Sequence, residues 1–149
     1  MDRIIHSEPT SSGDVDLSWM VGRVITDVSF HKPTVWRFSF GREASISVEC
    51  PWRILDHGRL ACSGDDHEQR FGLSAPVDAI ADATRLLSAA AVTAVQLREG
   101  SADIVIELSP HLRLEIIPIS RGYESWQISD PFGTSYVAQG GGQILRWKQ

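Results

Sequence analysis

At 149 residues, 42% of them hydrophobic and 22% charged, the chain has the size and composition of one globular domain and is too apolar to remain disordered. Its net charge of −5 and its 14 scattered Lys and Arg residues exclude a general nucleic-acid binder, which needs clustered cations against phosphate. No apolar run approaches the ~18 residues of a membrane span, and the Met1-Asp2-Arg3 start lacks a signal-peptide pattern, so a cytoplasmic protein without membrane partners is expected. Cys50 and Cys62 stand 12 residues apart, a spacing that fits no zinc motif and reads as two reduced thiols.

In chain order, residues 1–13 have linker composition and are expected to be flexible, with Ser7-Glu8-Pro9-Thr10-Ser11-Ser12-Gly13 the clearest part. Residues 14–149 are expected to form a single domain. Strand patterns follow at Val24–Phe30, Val35–Phe40, Ala44–Cys50 and Trp52–Ile54, each alternating apolar and polar residues in the period of a half-buried strand. Asp56 to Glu68 reads as a solvated loop. A helix is expected over about 75–88, capped by Ser74 or Ala75, with Pro76 in its first turn and an apolar stripe of Val77, Ile80, Ala81, Thr84 and Leu87. Strand patterns resume at Val92–Leu97, Asp103–Leu108, Leu112–Ile116 and Trp126–Ile128. Gly140-Gly141-Gly142 reads as a hairpin or bulge before a last strand around Ile144 to Trp147, because no helix or Lys-Ser/Thr pair follows to make a phosphate loop.

The two sets of strands share a rhythm. Trp36, Phe38 and Phe40 match Ile104, Ile106 and Leu108 at an offset of 68, as Ile46 and Val48 match Leu114 and Ile116. Trp52 and Ile54 match Trp126 and Ile128 at an offset of 74, and the extra residues fall between Pro118 and Ser125. The expected fold is therefore α+β and mainly β. Two repeated antiparallel units of three to four strands, about 17–62 and 84–147, would be related by pseudo-two-fold symmetry, with one helix between them. That arrangement places Trp52 and Trp126 in equivalent surroundings.

The densest set of ligating side chains is Asp56-His57 with Asp65-Asp66-His67-Glu68. Asp56, His57, Asp65 and His67 are candidate metal ligands if a hairpin brings them together, although no HExxH or EF-hand spacing is present. Asp65, Asp66, His67 and Glu68 are equally candidate binding residues. Glu124, beside Tyr123 and Trp126, is the candidate functional carboxylate of its strand, as a buried acid that Tyr123 could serve by orienting a ligand. No G-x-S-x-G sequence, activated thiol or cofactor motif is present, so no catalytic residue and no cofactor are assigned.

Val21-Gly22-Arg23-Val24, Tyr123-Glu124-Ser125-Trp126, Pro131-Phe132-Gly133 and Gly140-Gly141-Gly142 ahead of Trp147 together resemble a family of small bacterial proteins defined by a Tyr-Glu-x-Trp strand and a glycine-rich C-terminus. That resemblance implies no activity. In size, charge and strand content the chain is also similar in style to bacterial immunity proteins. The functional expectation is a non-catalytic protein-binding domain, immunity-type or sequestering, for a basic partner. The alternatives are a small-molecule- or metal-dependent enzyme using the Asp56–Glu68 loop or an inter-repeat cleft, and a domain that self-associates as a homodimer through strand edges.

Overall fold

The computed structural model describes residues 6–148. Among these, twelve strands form two antiparallel sheets and one α-helix is present, so the α+β, mainly β class holds. The first sheet takes β2 (Asp27–His31), β3 (Val35–Ser39) and β4 (Ser45–Val48) as a meander. The second takes β7 (Val92–Leu97), β8 (Ile104–Leu108) and β9 (Leu112–Ile116) in the same way. Alternation sets the faces: on β3, Trp36 and Phe38 are buried and Arg37 is exposed, while on β9, Leu112, Leu114 and Ile116 are buried around exposed Arg113.

The fourth strand of each set leaves its own meander. β5 (Trp52–Asp56) joins the second sheet and pairs with β9, placing Trp52 opposite Ile116 and Ile54 opposite Leu114. β10 (Trp126–Ser129) joins the first sheet and pairs with β4, placing Trp126 opposite Val48 and Ile128 opposite Ile46. The two expected units are therefore not two separate sheets, since each sends its fourth strand into the other's sheet. Pro51 has no N–H to extend the β4 ladder, and its carbonyl accepts from Ile117 N at 2.9 Å, so the chain passes from one sheet to the other at that point. The mirror contact is Glu49 N donating to Ser125 O at 2.8 Å.

β6 (Arg59–Ser63) ends the second sheet beside β5, whereas β11 (Thr134–Gly140), β12 (Gln143–Lys148) and β1 (His6–Thr10) extend the first. Residues 1–5 of the segment expected to be flexible lie outside the described residues. His6–Thr10 of that segment instead pair with β12. An outermost strand has no second neighbour to satisfy, so Pro9 and a polar composition are tolerated, and Glu8 forms an ion pair with Arg146.

The inner faces of both sheets merge into one core, with Phe38, Ile46, Ile54, Leu114, Ile116 and Ile128 fully enclosed. Each such side chain contributes roughly 1.5–3 kcal/mol by leaving water. The helix α1 runs Ala79–Ser88, shorter than the expected 75–88. Its cap is Asp78, whose side chain accepts from Ala81 N at 3.0 Å, because Val77 is held extended by two backbone bonds to Glu68 and Gln69. The buried face is Ala79, Ala83 and Leu87, with Ala81 exposed. This helix packs across β2 and β6, and Thr84 Oγ1 accepts from the edge amide of Val28 at 3.2 Å. Gly22 N and Arg23 O bond to Val92 and cover β7.

Gly140, Gly141 and Gly142 form the β11–β12 turn, with a register shift between Ala138 and Gly140 and positive φ at all three. A Cβ on Gly142 would stand 1.8 Å from Gly100 O, whereas one at Gly133, also at positive φ, meets nothing within 4 Å. Gly133→Ala should therefore cost about 1–2 kcal/mol of left-handed strain. Gly142→Ala should cost at least about 2 kcal/mol more, from that strain plus the clash. Denaturant titration of the two variants compares them directly, and equal losses would show that the contact is soft.

Candidate functional site

The sequence-derived candidates separate into two places. Asp56 and His57 close the tight turn between β5 and β6, with His57 and Gly58 both in the left-handed region that a two-residue hairpin demands. His57 Nδ1 lies 2.8 Å from Asp56 Oδ1, and its ring packs on that of His111 with centroids 4.1 Å apart. A cavity of 390 Å³ opens beside them, bordered by Thr93 and by Glu107, which accepts from Arg113 Nε at 2.8 Å.

Asp65, Asp66 and His67 sit at the opposite end of β6, on and just after the 3-10 turn Gly64–Asp66. A five-residue strand spans roughly 17 Å, so Asp56 and His57 cannot share an ion with Asp65 and His67. The proposed four-residue metal set is not assembled. Among the described residues, no group of three or more His, Cys, Asp or Glu side chains is arranged to hold a metal ion.

His67 has a structural task. Its Nδ1 accepts from the Ala79 amide at 3.1 Å, which places the ring proton on Nε2, 3.7 Å from Glu68 Oε1. The ring stands edge-on to Trp36 at 5.3 Å and to Phe30 at 5.7 Å. Glu68 is exposed, at φ 69°, and reaches Lys32 Nζ at 3.6 Å. Asp65 is also exposed, and it borders a second cavity.

That cavity, 290 Å³, forms where three segments meet. The β2–β3 hairpin brings Phe30, Pro33 and Trp36, the β4–β5 crossover brings Glu49, Pro51 and Trp52, and the 3-10 turn brings Gly64 and Asp65. Phe30 and Trp36 are cross-strand partners and stack with centroids 4.5 Å apart. Trp52, from the other sheet, meets Trp36 edge-on at 5.0 Å and Phe38 at 5.1 Å. Such aromatic contacts add about 0.5–1.5 kcal/mol each beyond their buried area.

Gly64 permits this packing. A Cβ there would lie 2.6 Å from Trp52 Nε1 and 3.2 Å from Trp36 Nε1. Trp52 Nε1 is buried without a hydrogen-bond partner among the described residues, whereas Trp126 Nε1 donates to Ala102 O at 2.8 Å. Both indoles are at most 2% exposed, but the polar ends of their surroundings differ.

Glu124 lies before β10 and is exposed, as is Tyr123, so the buried acid expected there is corrected. Its carboxyl is nevertheless pushed up from the ordinary carboxylate value, first by partial desolvation and then by the charge of Glu49. Burial pushes the Cys50 thiol up to about 12 and the Cys62 thiol to about 11, leaving both protonated at neutral pH and poor as nucleophiles. Phe30, Trp36 and Glu49 were not singled out by sequence. The available signal was an aromatic side chain on each flank of the 31–35 turn.

No protein-family model, curated protein or solved structure matches the chain.

Gly64→Ala should cost about 1–3 kcal/mol by displacing an indole from the packed floor, with a red-shifted tryptophan emission that Gly133→Ala lacks. Loss of the His67 acceptor in His67→Ala should leave the Ala79 amide unpaired and cost about 1–3 kcal/mol. Thermal denaturation reads both. For the thiols, a folded-state pKa above the ordinary 9.0 means that the protonated form favours the fold. That contribution is complete below pH 9 and is lost as pH rises towards 11 to 12. Iodoacetamide at about pH 8 should accordingly leave both cysteines unmodified in the native protein and alkylate both once it is unfolded. Rapid native labelling, read by mass spectrometry, would overturn the assignment.

Proposed function

We propose that the chain is a fused duplication of one strand unit and works as a non-catalytic binding domain for a basic protein, of the immunity or sequestering type. The duplication is supported by the reciprocal pairings, Trp52 with Ile116 in one sheet and Trp126 with Val48 in the other, at positions that match in sequence. The binding reading is carried by one observation: the aromatic cavity has Glu49 and Asp65 on its border and no Lys or Arg among the residues lining it. An acidic, partly apolar recess on a chain of net charge −5 attracts cations at long range and offers apolar contact at short range.

The test is copurification from the source cell, followed by identification of the bound protein. A basic partner should be released as salt rises from about 0.1 M to 1 M, where the screening length falls from about 10 Å to 3 Å. Reversing both charges, Glu49→Lys with Asp65→Lys, should weaken the identified complex at least about tenfold, or 1.4 kcal/mol. A partner retained equally in high salt and by the doubly reversed variant would overturn the reading.

A further inference from the structure

From the chemistry of this same cavity we propose that its occupant is a lysine side chain of the partner, and this inference rests on the binding reading above. The cavity combines two surfaces that an alkylammonium group needs. Phe30, Pro33 and Pro51 supply apolar walls for a methylene stem. Glu49 and Asp65 supply acceptors for the ammonium from two different segments, the β4–β5 crossover and the 3-10 turn. Both carboxylates are exposed, and neither forms an ion pair within the described residues. The basic residue next to the border, Lys32, is drawn to Glu68 instead.

Size and charge select the occupant. At 290 Å³ the cavity lies just below the roughly 300–1,000 Å³ of sites for drug-sized ligands, which suits one side chain better than a cofactor. An anion would meet two carboxylates without a compensating cation. An uncharged aliphatic chain would occupy the walls and leave both carboxylates without a cation. A lysine satisfies both surfaces, and ring faces within about 6 Å of a cation add further attraction.

The experiment titrates the full chain with a short peptide containing a single lysine, and with the same peptide acetylated at Nε, which keeps the stem and removes the charge. Binding is followed by the indole N–H resonances of Trp36 and Trp52. The lysine peptide should shift these signals saturably. The acetylated peptide, and the Glu49→Gln with Asp65→Asn variant titrated with the lysine peptide, should each bind at least about tenfold more weakly. Free n-butylammonium, carrying the same group without a peptide, should bind more weakly than the lysine peptide; tighter binding would assign the cavity to a small amine and overturn the partner-lysine inference. Equal affinity for the acetylated peptide, or shifts confined to other residues, would overturn it too. The binding reading fails separately. If an identified basic partner binds in a salt-sensitive, charge-reversal-sensitive way while no lysine peptide reaches the indoles, the lysine inference falls and the binding domain stands. If the peptide reaches the indoles but the copurified partner ignores salt and charge reversal, the lysine site stands and the basic-partner reading falls.

Discussion

The passage of β5 and β10 between the sheets constrains everything else in this molecule. Each sheet depends on a strand delivered from the other half of the sequence: β9 pairs with β5, and β4 pairs with β10. Neither meander can therefore bury its inner face without the other half of the chain, and the two halves share a single core. The register is fixed by the same residues that fill it. Shifting β10 by one residue would turn Trp126 and Ile128 to the outside and bring Gln127 in, against the burial of two large side chains. Such long-range pairing closes large loops before it is rewarded, which makes folding slower but leaves few alternative registers.

Much of this was legible in sequence and some could not have been. Period-two alternation located every strand of both meanders, because it reports which face of a segment is apolar. It carries no information on which neighbour that segment will take. The exchange of β5 and β10 was therefore invisible, although Pro51 marks the place where the first crossing occurs. The strand His6–Thr10 was hidden for a related reason: an outer strand has little need of apolar residues, so Ser7, Glu8 and Pro9 look like linker. The helix start was misplaced because Pro76 and Ser74 are plausible first-turn residues, while the backbone bonds of Val77 to Glu68 and Gln69 are a tertiary fact.

The candidate site shows the same division. Asp65 was singled out by composition and does border the cavity, but the metal set to which it was assigned requires two ends of one strand to coincide. Glu49, Phe30 and Trp36 come together only because a hairpin tip, a crossover and a 3-10 turn converge. No spacing rule links positions 30, 49 and 65. His67 was read as a ligand from its residue type alone, and its geometry shows a clamp that ties the loop to the start of α1.

The two matched segments differ most where the cavity forms. Trp36 and Phe38 stand where the second segment has Ile104 and Ile106, and Trp52 contacts both aromatics from the opposite sheet. Around Trp126, the indole N–H is satisfied by Ala102 O, which closes that end of the core. Around Trp52, the N–H lies against Gly64 with no acceptor among the described residues, and a recess opens beside it. A buried donor left unpaired costs about 1–3 kcal/mol, and the indole N–H groups of Trp19 and Trp147 are likewise buried without a partner among the described residues. The aromatic end is thus where the packing leaves a recess, while the indole at the aliphatic end is closed off by a backbone carbonyl.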